Sequence, residues 1–174
     1  MEGFFDGLDQ AVRERNWHAA LVLALTLPDI CVKASDPDRK TSRSRYAAWF
    51  EEYVAPAYTL YVGTPSDGEE VKFLSGKDCY ALRCALLHEG SDNTTAHEVR
   101  EALDGFHFCT PGERGISVHM NKSDRALNLM VDTFAQDVLA GARTWWETLP
   151  FEEQNAARTR QIALHSTDGD IQFS

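Results

Sequence analysis

The run from Ser75 to Gly90, SGKDCYALRCALLHEG, constrains this chain more than any other stretch. Between Cys79 and Leu87 its only charged side chain is Arg83, and in a helix the neighbours three and four positions away are Cys79, Tyr80, Leu86 and Leu87. An arginine on an apolar face needs a partner. Ser75 or Asp78 is placed to start the helix, and Gly90 to end it in the left-handed conformation that glycine adopts readily. His88 falls in the last turn, so a permanent cation and a group that titrates near neutral pH stand at one helix end.

The flanking segments also read as helix. Residues 3 to 14 form a short amphipathic start with Leu8 and Val12 one turn apart, and Asn16 is an N-cap for the apolar run from Trp17 to about Leu27. Pro28 and Asp29 are expected to disturb or end that run, with a further turn over Ile30 to Lys33. From Arg43 to Val54 the residues Tyr46, Trp49, Phe50, Tyr53 and Val54 keep helical spacing, an aromatic stripe that reads as core. The longest periodic pattern, Leu127, Met130, Val131, Phe134, Val138, Ala142 and Trp145, predicts a helix from about Asp124 to Thr148, capped by Asn121 or Ser123 and stopped by Pro150. A short charged helix from Phe151 to Arg160 follows, then an edge strand over Ile162 to Leu164 and a tail.

Strand signals are fewer. Alternation at Phe106 and Phe108, then at Ile116, Val118 and Met120, around the turn-forming 110 to 115, predicts an antiparallel hairpin. A second small hairpin or a loop is expected around Gly63 to Gly68, and residues 96 to 103 are weakly helical. The expectation is one mainly α domain over residues 1 to 164, a helical bundle with a small antiparallel β-hairpin, followed by a C-terminal tail from 165 to 174.

Charge narrows the function. A net charge of −10 argues against a general nucleic-acid coat, because non-specific affinity rests on neutralised phosphates. One local exception is the segment carrying Lys33, Arg39, Lys40, Arg43 and Arg45 against Asp36 and Asp38, which reads either as a solvated loop or as a phosphate-contacting one. The four cysteines lack C-x-x-C spacing, so neither a disulfide framework nor a zinc knuckle is indicated, and no cofactor is expected. No stretch approaches the roughly 18 to 20 apolar residues of a membrane span, and the start lacks a basic leader, so a cytoplasmic protein is expected.

Arg83-x-x-x-x-His88 near a helix end, in a small helical protein, resembles the R-x4–6-H signature of the HEPN superfamily. The position after the arginine, often Asn, Asp or His in catalytic members, is Cys84. The resemblance implies a HEPN-like bundle and a metal-independent endoribonuclease of a bacterial stress or antiphage system, or a catalytically silent relative that binds nucleic acid or protein. Cleavage would proceed by transesterification: the ribose 2′-hydroxyl attacks the neighbouring phosphorus and the 5′-oxygen leaves. His88 would act as base or acid, and Arg83 would stabilise the phosphorane. It further implies a homodimer with both motif copies lining one cleft, with RNA and an antitoxin or other protein as partners.

On an ideal helix a five-residue step turns the direction by about 140°, which sets Arg83 and His88 on different faces. The competing structural reading pairs Arg83 with a carboxylate such as Asp29 and uses His88 to cap helix carbonyls. Metal readings are weaker: His107 with His119 lacks a carboxylate, and His97-Glu98 with His88 lacks a recognised spacing.

Overall fold

The computed structural model describes residues 1–38, 40–64, 67–94, 103–162 and 164. Helix α1 is Glu2–Arg13, α2 is Trp17–Ser35, α3 is Arg43–Tyr53, α4 is Gly76–Glu89, α5 is Val131–Thr148 and α6 is Phe151–Thr159. The strands are β1 (Thr59–Val62), β2 (Glu69–Lys72), β3 (Gly105–Cys109), β4 (Asn121–Ser123) and β5 (Ala126–Met130). Among the described residues the protein is therefore mainly helical with two small sheets.

Helix α2 sits at the centre, packed against α1, α3, α4 and α5. It starts where the Asn16 side chain accepts from the Ala19 amide, 3.3 Å away. It does not end at Pro28 but continues to Ser35, with Pro28 inside the helix. Proline costs a helix interior about 3 kcal/mol, since the N–H that would bond to Ala24 is missing. Leu25, Leu27, Cys31 and Val32, on both sides of the proline, are all buried, and each large aliphatic side chain contributes about 1.5–3 kcal/mol on burial, so packing outweighs the break. Running through the proline gives α2 19 residues, long and apolar enough by length and composition to cross a membrane. In this fold its buried residues form the middle of the core.

The Tyr46 side chain, fully buried on α3, ties three helices together. Its hydroxyl donates to the Leu25 carbonyl (3.1 Å) and lies 3.5 Å from the Cys79 sulfur on α4. Phenylalanine at this position leaves the Leu25 contact unmade, and Y46F should lower unfolding stability by about 1–2 kcal/mol, read as a shift in urea midpoint at constant slope. Gly76, at the first turn of α4, allows the two backbones to meet: a Cβ there would lie 2.3 Å from the Ala47 carbonyl oxygen of α3.

The β structure departs from expectation. Strands β1 and β2 do form an antiparallel hairpin, pairing Thr59 with Lys72 and Val62 with Glu69. The predicted hairpin of 106–109 with 116–120 does not form. Instead β3 pairs in parallel with β5, Phe106 opposite Leu127 and Phe108 opposite Leu129, while β4 pairs antiparallel on the other side of β5. The long helix consequently begins at Val131 rather than Asp124. Ala126 to Met130 alternates in a way that buries Leu127 and Leu129 completely against the helices, a period-2 pattern that the strand satisfies. Asp124, at φ 52°, makes the tight turn between β4 and β5. The weak helix predicted over 96 to 103 and the tail from His165 lie almost wholly outside the described residues. Ile162 and Leu164 belong to no strand and are 77% and 92% exposed.

Candidate functional site

Helix α4 delivers both motif residues. Ser75 caps its start, and Gly90 ends it at φ 63°, with the Gly90 and Ser91 amides donating back to Leu86 and Ala85 at 3.0 and 3.2 Å. A buried acid anchors the first turn. Asp78, 1% exposed, accepts from the Ser75 hydroxyl (3.0 Å) through one carboxylate oxygen and from the Leu103 amide (3.1 Å) through the other. It thereby joins α4 to the segment that leads into β3.

Arg83 is paired with Asp29 of α2, the carboxylate named by the structural alternative. Its Nε and Nη2 both reach Asp29 Oδ2, each at 2.9 Å, with the two side chains 22% and 18% exposed. Burial pushes the Asp29 carboxyl above the usual range, with Arg83 pulling the other way. For Arg83 burial opposes the charge, and Asp29 together with Cys84 more than offsets it, so the guanidinium pKa is raised. A two-pronged guanidinium contact of this length favours the ionised form of both partners.

The other guanidinium edge faces the histidine. Arg83 Nη1 lies 3.3 Å from His88 Nε2, so the two motif residues meet within one chain. The expectation that a five-residue step separates them is corrected: it counts backbone directions, whereas a long arginine side chain spans the angle. Arginine can only donate, so this bond uses the Nε2 lone pair and places the imidazole proton on Nδ1. His88 is exposed while Arg83 is half-buried, so the pair opens toward solvent from the histidine side. Tyr80 and Cys84 border Arg83, and burial first, then the neighbouring Cys84, raises the Tyr80 phenol.

The basic segment is only partly associated with this pair. Lys33 lies one helical turn beyond Asp29 on α2, and both line the same cavity. Its ammonium donates to the Pro37 carbonyl at 2.6 Å. Arg45 is turned inward, donating to the Val32 carbonyl (3.0 Å) and the Lys40 carbonyl (3.2 Å) and lying 3.6 Å from Asp36, which fastens the loop between α2 and α3. Lys40 and Arg43 are exposed, and Arg39 lies outside the described residues.

A second polar cluster was not anticipated. The Tyr58 hydroxyl donates to Asp137 Oδ2 (2.9 Å) on α5, and His119 Nε2 stands 3.8 Å from the same oxygen. His119 Nδ1 accepts from the Met130 amide at 3.2 Å, so this ring is held with its proton on Nε2. Burial depresses its pKa, with Asp137 and Asp132 opposing. Because the folded pKa lies below the unfolded one, the unfolded chain takes up the proton first as pH falls. Stability from this group is therefore full above about pH 6.5 and declines below it. Asp137, raised by burial, has the opposite sign but in the carboxylate range. Urea unfolding between about pH 7.5 and 5.5 should show this decline, and H119Q should flatten it. The sequence sets His119 only beside His107, and no local pattern points to a partner 18 positions away on another element.

Among the described residues no group of three or more His, Cys, Asp and Glu side chains could hold a metal ion, and His97 and Glu98 lie outside them. No protein-family model, no curated protein and no solved structure matches this chain.

Proposed function

We propose that the chain is a HEPN-like, metal-independent endoribonuclease that cleaves single-stranded RNA by 2′-hydroxyl transesterification. The observation that carries the reading is the contact between Arg83 Nη1 and His88 Nε2 at 3.3 Å, with the imidazole exposed. Asp29 holds one edge of the guanidinium and leaves Nη1 directed at the position a phosphate would take beside His88. An incoming phosphoryl group displaces His88 from Nη1, freeing the Nε2 lone pair to accept the 2′-hydroxyl proton. The guanidinium then faces the non-bridging oxygens as their charge builds. A homodimer, an RNA target and a regulatory protein partner belong to this reading, although the single chain already brings the two groups together.

The test is product chemistry. Single-stranded RNA incubated with the purified chain in EDTA should yield fragments ending in 2′,3′-cyclic phosphate and 5′-hydroxyl. Intact RNA across a set of mixed-sequence substrates, or 3′-hydroxyl ends that disappear with EDTA, overturns it. A second reading draws on the same coordinates: two of the three guanidinium nitrogens are engaged by Asp29, which suits a catalytically silent HEPN-like module that binds RNA or protein through the α4 end. That version gains if the folded chain retains RNA or a protein without cutting.

A further inference from the structure

The sheet of β1 and β2 has two strands, so each presents an outer edge, and the two edges differ. Strand β2 carries Glu69, Glu70 and Lys72, and Lys72 is bonded to Glu51 of α3 at 2.7 Å. Charge of this kind guards an edge against further pairing. Strand β1 has no charged residue, and its Leu60, Tyr61 and Val62 are 42%, 63% and 51% exposed.

Register fixes which backbone groups face outward. The Phe73 amide donates to the Tyr58 carbonyl at 2.8 Å, so alternation along the ladder makes Leu60 with Val71, and Val62 with Glu69, the hydrogen-bonded pairs. Tyr61 therefore turns its N–H and C=O away from β2, and among the described residues neither has a backbone partner. Its ring does not cover them. A Cβ on Gly68 would lie 2.3 Å from Tyr61 Cε1, which places the ring across the hairpin and over Gly68.

Side chains beside this edge give the occupant its chemistry. Leu60, Val62 and Val71 share one face with Glu69, whereas Tyr61 and Glu70 stand directly opposite each other on the other face. Both glutamates are exposed, and neither makes a hydrogen bond or ion pair among the described residues.

We infer that the β1 edge takes up an extended segment of a partner protein in which basic residues alternate with apolar ones. The segment adds a third strand. Its backbone pairs with the Tyr61 N–H and C=O, its apolar residues extend the face of Leu60 and Val62, and its basic residues lie over the Tyr61 ring toward Glu70. Charge selects this occupant over a second copy, since β1 offers no cation to the two glutamates and each chain has a net charge of −10. Recognition here does not depend on RNA cleavage, because Arg83 and His88 take no part in it.

The test adds to the full chain a blocked peptide alternating lysine with valine, followed by amide NMR. Controls are the same peptide with glutamate for lysine, and an equally charged one alternating lysine with proline, which lacks the N–H groups a strand needs. The lysine-valine peptide should shift residues 59 to 62 saturably, more strongly than its glutamate counterpart, and slow hydrogen exchange of the Tyr61 amide by roughly tenfold or more. The double substitution E69K/E70K should weaken binding by roughly tenfold or more, and Tyr61→Pro, which removes the outward N–H, should abolish it. No saturation by roughly 2 mM peptide, equal binding of the lysine-proline control, or unchanged binding in the E69K/E70K chain each overturns the assignment. So does Tyr61 protection that grows with protein concentration in the absence of peptide, which gives the edge to a second copy.

Discussion

An H88A chain should fold as the parent does and cleave RNA roughly 10²- to 10⁴-fold more slowly, the usual contribution of a positioned acid or base. His88 is exposed, and its ring contact among the described residues is Arg83, so truncation removes chemistry without opening the core. Arg83→Lys should be nearly as damaging to rate, by roughly 10²-fold or more, because a lysine cannot hold Asp29 with one edge and present a second donor to the phosphate. Asp29→Asn separates the two roles of the acid. It keeps the shape but loosens the guanidinium, and as a positioning change it should reduce the rate by roughly tenfold while a conservative Asp29→Glu recovers part of it. Initial rates on a fixed single-stranded RNA, with melting curves for each variant, check the series. Full activity in H88A removes the nuclease reading.

The largest effect on stability is expected at Asp78. Alanine there leaves the Leu103 amide and the Ser75 hydroxyl without the acceptors they now use, in a site where both the acid and Leu103 are buried. Each orphaned donor costs about 1–3 kcal/mol, and the α4 N-terminus also loses a favourable negative charge, so D78A should lose about 3–4 kcal/mol. Asp78→Asn retains one acceptor and should lose roughly half as much. Denaturant unfolding measures both; an effect of D78A below about 1 kcal/mol would mean that the contacts joining α4 to the β3 approach are not maintained in solution.

Much of the scaffold is legible in the order of the residues. Asn16, Ser75 and Gly90 announce helix ends because each satisfies or terminates a backbone hydrogen-bond pattern locally. The stripe from Tyr46 to Phe50 is buried as its spacing implies. Errors arise where one pattern fits two structures. Leu127, Met130 and Val131 satisfy a helical period, yet Leu127 and Leu129 satisfy a strand, and only the parallel partner at Phe106 and Phe108 decides between them. Pro28 misleads for a different reason: a local penalty is visible in the sequence, whereas the packing that overrides it comes from the helices around α2.

For the site, the same division holds. Arg83, His88 and the need for a counter-charge on Arg83 follow from an apolar stretch, Cys79 to Leu87, whose one charged side chain is Arg83. The contact between Arg83 and His88 does not, because a helical wheel records where side chains begin and not where they end. The link of Tyr58, His119 and Asp137 depends on three elements far apart in the chain and leaves no local mark. The basic run, legible either as a solvated loop or as a phosphate-contacting one, carries no local sign that Arg45 bonds loop and helix carbonyls.

The close approach at Gly76 sets how the motif can respond to a guest. With the first turn of α4 seated against Ala47 and no space for even a methyl group between them, that end of the helix cannot slide or tilt toward α3. Adjustment at the far end then falls to side-chain torsions. Rotamer changes of an exposed ring such as His88 run in picoseconds to nanoseconds, far faster than hinge or domain movements. Under the proposed nuclease chemistry, reshaping around a phosphate is accordingly a matter of two side chains exchanging partners on a fixed mount.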